Sequence, residues 1–146
     1  MTEVTVKKGS IVDVVKLSMQ IPEFHQPHQE NEYRLRLEDT PHLIAIAFSK
    51  NAAVGFKVGY QRENDGSFYS WMGGILPDFR RKGVARLLAD YQENWARQQG
   101  YHTIKMKTRN RLKPMLYFAL GNGFNIVKVD QRESVEENRI HLEKQL

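Results

Sequence analysis

The stretch "LPDFRRKGVARLL", residues 76–88, decides how the rest of the chain is interpreted. It places three consecutive cations, Arg80, Arg81 and Lys82, directly before a segment whose apolar residues recur at helical spacing. A helix N-terminus is the positive end of the helix dipole, so cations are unfavourable there unless an anion lies beside them. The free backbone N–H groups of a first helical turn can hold such an anion. The stretch therefore predicts a strand-to-helix turn that binds a phosphate-bearing ligand.

Small residues in the same turn support a close approach by that ligand. Gly83 has no Cβ, so a phosphate can come close to its backbone, and Ala85 is the next smallest residue. Neither the P-loop pattern nor the dinucleotide-binding Gly-x-Gly-x-x-Gly pattern occurs in the sequence. The alternative interpretation is a solvated basic turn before an amphipathic helix, and the pattern alone leaves both open.

Length and composition indicate one globular domain, which we assign to residues 1–146. The 146 residues are 40% hydrophobic and 27% charged, and no linker, repeat or low-complexity segment divides them. The sequence has no cysteine, which excludes disulfides, thiolate metal sites and a cysteine nucleophile. It has neither an apolar run of roughly 18 residues nor an N-terminal signal pattern, so we expect a cytoplasmic protein with no membrane partner.

The net charge is +5, and the cations gather in two short segments. One is the trio at 80–82, and the other lies between Lys105 and Lys113. A nucleic-acid-binding surface usually spreads Lys and Arg over one face. Two compact clusters fit a discrete anionic ligand better, so the sequence favours a small ligand over nucleic acid.

Hydrophobic periodicity and turn residues predict the element order αα-β-β-β-α-β-α-β-β. The predicted helices run from Ser10 to Pro22, lie within 27–38, run from Val84 to Gly100, and run from Leu112 to the Gly-Asn-Gly at 121–123. The predicted strands cover residues 42–49, 54–60, 67–76, 101–108, 124–129 and 138–144, with a further short strand in "TEVTVKK", residues 2–8.

Local turn chemistry adds two details and fixes the fold class. Lys50-Asn51 predicts a hairpin turn between the first two long strands, and Gly73-Gly74 predicts either a bulge in the third or a close backbone approach there. Strands joined through helices require a parallel pair, and hairpins require antiparallel pairs. The expected fold is therefore α/β (α+β), with a mixed, mostly antiparallel central sheet and helices on both faces.

The residues around the anion-binding turn resemble a known family. "GGILPDFRRKGVARLL", residues 73–88, resembles the acetyl-CoA signature of the GNAT family of N-acetyltransferases, Arg/Gln-x-x-Gly-x-Gly/Ala after a bulged strand. The resemblance continues through "GYHTIKMKT" and "NRLKPML" to "NGFNIV", and it covers about Gly55 to Val129. It implies the acyl-CoA N-acyltransferase fold, whose bulged strand is splayed from its neighbour.

The resemblance also implies roles for individual residues. Acetyl-CoA would be the acyl donor, and the main chain of Ile75 and Leu76 would pair with its pantetheine arm. Asn110 resembles the family's asparagine on the far side of the coenzyme. The backbone amides of one turn would hold the pyrophosphate, and they belong to Arg80, Arg81, Lys82, Gly83, Val84 and Ala85.

The acid and base of the reaction are less well determined by the resemblance. Tyr117, seven residues after Asn110, matches the family's general acid, whereas counting back from Gly123-Phe124 gives Ala119 instead. Tyr117 therefore either protonates the leaving thiolate or packs or faces solvent. No general base is assigned, because the nearby candidates all have surface or structural alternatives: Glu23, Glu63, Asp65, His25, His28 and His42.

Two further features stay open. Tyr69 and Trp71 alternate onto one face of the bulged strand, where they line an acceptor pocket or simply pack on the sheet. His25 and His28 suggest metal binding, but no third ligand is evident, so we predict no metal.

The sequence thus leads to an enzyme that transfers acetyl from acetyl-CoA to a small-molecule or peptide primary amine. The attack would be direct, because a chain without cysteine cannot form a cysteinyl intermediate. The alternatives are a degenerate module that senses coenzyme A without turnover, and a basic nucleic-acid-binding domain. A homodimer stays open.

Overall fold

The computed structural model describes residues 3–146, which form a seven-stranded sheet with two α-helices on each face. The strands are β1 (Val4–Lys8), β2 (His42–Ser49), β3 (Ala52–Tyr60), β4 (Ser67–Ile75), β5 (Thr103–Arg109), β6 (Asn125–Asp130) and β7 (Arg139–Gln145). The helices are α1 (Ile11–Ser18), α2 (Glu30–Leu37), α3 (Val84–Gln98) and α4 (Lys113–Gly121). The element order matches the prediction. The first residue of the predicted N-terminal strand, Thr2, lies outside the described residues.

The sheet order is β1-β2-β3-β4-β5-β7-β6, and its pairs are antiparallel except for β4 with β5. The predicted mixed, mostly antiparallel sheet is confirmed. The predicted turn at Lys50-Asn51 is confirmed too, since both residues have positive φ, 50° and 69°, as a tight hairpin turn requires.

Helices α1 and α2 cover one face of β2 and β3. The Ser10 side chain caps α1 by accepting from the Asp13 backbone N–H, and Asp13 accepts in return from the Ser10 N–H. The helix ends at Ser18 and not at Pro22, where the sequence suggested. Tyr33 and Leu37 are the buried positions of α2, as their spacing predicted.

The other face carries α3 and α4. Val84, Leu88 and Ala96 recur at helical spacing on the buried side of α3, and they pack with Leu43 and Ile104 of the sheet. Gly100 follows the end of α3 with a φ of 93°, as a residue that terminates a helix often does. None of the helices within residues 3–146 is both long and apolar enough to cross a membrane.

Strands β4 and β5 stay together over a short distance only. Their parallel pairing runs from Ser67 with Thr103 to Ser70 with Met106 and then stops. Beyond that point β4 continues along β3 and β5 continues along β7. The result is a gap in the sheet, bounded by the second half of β4 and the end of β5, with the loop to α3 at its rim.

The bulge in β4 lies at Trp71, so the bulge alternative for Gly73-Gly74 is wrong. Val58 pairs with Met72 and Gly59 with Ser70, so Trp71 is the extra residue. The bulge shifts the alternation, and both Trp71 and Met72 pack on the α1–α2 side. A different constraint explains the glycine at position 74, because a Cβ there would lie only 2.7 Å from Cδ1 of Ile21.

Candidate functional site

The turn before α3 presents a row of unused backbone donors. The first backbone bond of α3 runs from the Leu87 N–H to the Gly83 carbonyl, and the N–H of Arg80 bonds to Pro77. Between these two, the N–H groups of residues 81–86 find no acceptor within residues 3–146. We call these six groups the amide row. Together with the positive helix end they form a site for an anion.

Gly83 gives this turn its shape. Its φ is 81°, a left-handed conformation that L side chains adopt with strain, and Arg81 before it has a φ of 60°. Nothing lies within 4 Å of the position that a Cβ of Gly83 would take, so the space beside it is open. The glycine is therefore needed for backbone conformation, and it leaves the approach to the amide row clear.

The three cations of this turn differ in their surroundings. Arg80 already has an anionic partner, because its guanidinium makes two 2.8 Å hydrogen bonds to the Glu23 carboxylate. The same contact lowers the pKa of Glu23 below its usual range. Arg81 and Lys82 form no ion pair within the described residues, and Lys82 Nζ lies 5.6 Å from the centre of the Phe79 ring. Of the three cations predicted to neutralise a phosphate, Arg80 is thus already paired within the protein, whereas Arg81 and Lys82 have no carboxylate partner among the described residues.

The Arg80 side chain also shows in which direction the main-chain groups at the end of β4 point. Arg80 Nε donates to the Ile75 carbonyl at 3.1 Å, on the side of the gap. The Leu76 N–H donates to Val54 of β3 at 2.9 Å, on the opposite side. Because main-chain groups alternate along a strand, Gly73 and Ile75 turn their N–H and C=O groups to the gap. Of the two residues expected to pair with a pantetheine arm, Ile75 thus turns its main-chain groups to the gap, whereas Leu76 turns its N–H to β3, and Gly73 faces the gap as well.

Asn110 lies just beyond β5 and is engaged within the protein. Its Nδ2 donates to the Val135 carbonyl at 3.2 Å, and its Oδ1 accepts from Lys113 Nζ at 2.8 Å. These bonds hold the loop between β5 and α4 to the short 3₁₀ turn Val135–Glu137. Asn110 would have to exchange one of them to contact a coenzyme.

Tyr117 lies on α4 with 67% of its surface exposed. Its hydroxyl makes no hydrogen bond within residues 3–146, which leaves it free to meet a ligand. Its neighbour Phe118 lies 5.6 Å from the guanidinium carbon of Arg86, a residue of the amide row. This contact places α4 next to the anion-binding turn.

A buried polar network, which sequence reasoning missed, fixes α3 against α4 and β7. Glu93 is 5% exposed, and its carboxylate accepts from Lys144 Nζ at 2.7 Å and from Asn122 Nδ2 at 2.9 Å. Asn122 also accepts from Arg86. One feature of the sequence could have indicated that Glu93 is buried. It lies three residues before Ala96 and four after Ala89, on the buried side of α3.

A second buried group lies beneath the gap. Lys57 of β3 runs under Gly73, whose missing side chain leaves room for the lysine stem, with 3.7 Å between Lys57 Cγ and the position of a Gly73 Cβ. A small cavity joins Lys57 to Gln92 and Glu93 of α3. Burial lowers the pKa of Lys57. Gln92 Nε2 is buried and has no acceptor within residues 3–146.

Aromatic side chains line the opposite face of β4. Trp71 packs with Tyr33, His28 and Tyr60 at ring-centre distances of 5.1, 5.5 and 5.7 Å. Tyr69 lies next to a pocket of about 160 Å³ that opens on β4, β5 and β7. For Trp71 the packing interpretation therefore applies, while Tyr69 borders a pocket.

The carboxylates considered as general bases are all paired with cations. Glu23 binds Arg80, while Glu63 and Asp65 both bind Lys105 Nζ, at 3.1 and 2.8 Å. The bond from Lys105 holds the pKa of Asp65 far below its usual range. Glu23 and Asp65, whose pKa values are both lowered, are thus weak bases.

Comparisons with known proteins agree with this geometry. A family model described as the acetyltransferase (GNAT) family matches residues 11–124. No match was found among curated protein sequences. Many solved structures share the fold.

Three of these structures illustrate the range of the fold. The ribosomal-protein-S18-alanine N-acetyltransferase of Escherichia coli is 12% identical, with a TM-score of 0.81 over 98% of this chain and 94% of that one. The PaiA N-acetyltransferase of Thermoplasma acidophilum, crystallised with coenzyme A, is 14% identical, with a TM-score of 0.76 over 99% of each chain. A streptothricin acetyltransferase assigned in Bacillus anthracis, crystallised with acetyl coenzyme A, is 21% identical, with a TM-score of 0.71 over 84% of this chain and 71% of that one.

Proposed function

Because the chain belongs to the acetyltransferase (GNAT) family, we propose that it transfers the acetyl group of acetyl-CoA to a primary amine. The observation that carries the proposal is the amide row of residues 81–86, which lies beside the unpaired edge of β4. The amide row suits a pyrophosphate, and the unpaired edge of β4 suits an extended chain with amide groups. Coenzyme A contains both.

The donor would be held almost entirely by main chain. The amide row would bind the pyrophosphate, with Arg81 and Lys82 adding charge, and Gly73 and Ile75 would pair with the pantetheine arm as an added strand does. The coenzyme A or acetyl coenzyme A present in two of the structural neighbours supports this choice of donor. Arg80 positions the site by tying Ile75 to Glu23.

The transfer step would be a direct attack. The lone pair of the neutral amine nitrogen would form the new C–N bond at the thioester carbonyl while the C–S bond breaks; the nitrogen would release one proton to solvent, and the thiolate would take up one proton. We assign that proton to Tyr117, the exposed tyrosine of the neighbouring helix. The sequence has no cysteine, which leaves no side chain for a thioester intermediate.

The amine acceptor is not determined by the fold. The neighbours named above include one whose name states a ribosomal-protein alanine and one named for streptothricin. The second cationic segment speaks against nucleic acid as the partner, since Lys105, Arg109 and Arg111 each pair with a carboxylate. A cytoplasmic location and a homodimer stay predictions.

Thiol release from acetyl-CoA, measured with a panel of primary amines, tests the proposal. Because the chain has no cysteine, the protein itself adds no thiol background. We expect amine-dependent release, with an N-acetylated product seen by mass spectrometry. Tight coenzyme binding with no release for any amine would favour the sensor function, and no coenzyme binding at all would refute the site.

A further inference from the structure

The part of the sheet that α1 and α2 leave uncovered carries cations around Tyr69. The guanidinium carbon of Arg62 lies 5.0 Å from the centre of the Tyr69 ring, and Lys107 Nζ lies 5.9 Å from it. Arg139 follows on the neighbouring strand β7. We call Arg62, Lys107 and Arg139 the Tyr69 cations.

The Tyr69 cations have no carboxylate partner. Within residues 3–146, Arg62, Lys107 and Arg139 form no ion pair, and Arg139 Nε is buried without any acceptor. Burial, together with the charges of Arg62 and Arg139, lowers the pKa of Lys107. A buried donor without an acceptor is costly, so this arrangement is unfavourable until an anion joins it.

Four cations nearby, by contrast, have carboxylate partners, although Arg132 has none within the described residues. Lys105 binds Glu63 and Asp65, Arg109 and Arg111 bind Glu137, and Lys128 binds Asp130. Two carboxylates line the pocket beside Tyr69. Glu63 pairs with Lys105, whereas Glu143 has no cation partner within the described residues. The imbalance of charge therefore centres on Tyr69.

The position of the cluster connects it to the gap. Lys107 is the first residue of β5 beyond the last β4–β5 pair, Ser70 with Met106. Tyr69 borders the same point on β4, and the pocket of about 160 Å³ lies between them. This face is opposite the one that carries α3 and its amide row, so a molecule here would meet a coenzyme across the opening.

We propose that the Tyr69 cations bind an anionic group of the acceptor, so that the acceptor is a small amine carrying a carboxylate or a phosphate. The inference rests on the proposed acetyl transfer. Ligand pockets for drug-sized molecules measure about 300–1,000 Å³. The pocket beside Tyr69 is smaller, about 160 Å³, so it would take the anionic end of the acceptor and leave the amine at the opening.

The same cations would assist the chemistry. An amine must lose its proton before it attacks, and nearby positive charge lowers the pKa of an ammonium group. The Tyr69 cations would therefore raise the fraction of neutral amine. This gives a physical reason why transfer would proceed although Glu23, Glu63 and Asp65 are each paired with a cation.

Matched pairs of amines test the charge requirement directly. β-Alanine is compared with β-alaninamide, and phosphoethanolamine with ethanolamine, in the thiol-release assay. We expect kcat/KM to be about tenfold or more higher for the anionic member, as one lost charge-assisted hydrogen bond would give. A preference in only one pair identifies the anion as carboxylate or phosphate.

Variants locate the effect. Lys107→Met is expected to remove most of the preference, because it should lower kcat/KM more for the anionic amine of each pair than for its neutral match. Arg62→Gln is a second variant, in case Lys107→Met disturbs the strand. Lys16→Met, an exposed cation on α1, is the matched control and should keep the preference.

Direct binding separates the inference from the proposed function. If the protein binds acetyl-CoA but acetylates no amine, N-acetyl-β-alanine and its amide are titrated with coenzyme A present, by NMR. Carboxylate-specific binding that Lys107→Met abolishes would sustain the anion site although acetyl transfer fails. Equal turnover of the charged and neutral amines would overturn the anion site but leave the proposed acetyl transfer intact. Equal binding of N-acetyl-β-alanine and its amide would also overturn the anion site.

Discussion

Replacing Gly83 by leucine is expected to weaken coenzyme A binding without unfolding the protein. The residue lies within the amide row, and open space surrounds the position of its Cβ. A leucine side chain would occupy the space through which the pyrophosphate approaches. The lost contacts would be charge-assisted hydrogen bonds, each worth about 1.5–3 kcal/mol. Loss of one alone would raise the Kd by about tenfold to 150-fold.

The substitution also strains the backbone, and a second glycine controls for that. Gly83 has a φ of 81° and Gly100 has a φ of 93°, and nothing lies within 4 Å of the Cβ position of either. A left-handed non-glycine residue costs about 1–2 kcal/mol, so both leucine variants should lose a similar free energy of unfolding. Gly100→Leu, at the far end of α3, should keep the wild-type affinity for the coenzyme.

Isothermal titration with coenzyme A gives the affinities, and urea denaturation gives the free energies of unfolding. A folded Gly83→Leu protein with the wild-type Kd would refute the assignment of the amide row. An equal loss of affinity in Gly100→Leu would refute it too, because the effect would then follow from stability alone.

Other predictions concern catalysis, the buried network and pH. Tyr117→Phe should lower kcat and leave coenzyme A affinity unchanged, and a variant with full turnover would exclude it as the acid. Glu93→Ala should destabilise the fold by about 1.5–3 kcal/mol in urea denaturation, because the half-buried Lys144 and the buried Asn122 lose the carboxylate to which they donate; much of the loss should be recovered in the double variant with Lys144→Met, and independent effects would disprove the coupling. Lys57 has a lowered pKa, so between that value and about 10.4 the unfolded chain holds the extra proton and the free energy of unfolding rises with pH. Lys57→Met should flatten that rise, and an unchanged profile would contradict the assignment.

Local signals predicted most of the elements. The apolar run from His42 to Ser49 became β2 with the predicted limits, and Lys50-Asn51 formed the predicted turn. The long apolar pattern from Val84 became α3. Each of these features depends on residues within a few positions of one another, which is why periodicity and turn chemistry sufficed.

Features that depend on distant residues were not predictable in the same way. Gly74 marked a close contact with Ile21, and the bulge arose at Trp71, where no glycine pointed to it. Arg80 was interpreted by its charge alone, because its partner Glu23 lies 57 positions earlier in the chain. Nothing in the local sequence tells which residue of a loop will meet which cation.

The candidate site shows the same division. The amide row follows from a glycine and a helix start, so the sequence located it. The direction of the Leu76 N–H depends on its pairing with Val54, and no local pattern contains that register. The Tyr69 cations come from a loop and two strands, so only the folded chain brings them together.

The short pairing between β4 and β5 has a mechanical consequence. Strand pairing connects the two halves of the sheet through the four residue pairs from Ser67 with Thr103 to Ser70 with Met106. A small rotation about this seam would change the width of the gap while the ladders inside each half stay intact. The width of the gap therefore depends on these four pairs and on the core that α3 and α4 form with both halves of the sheet.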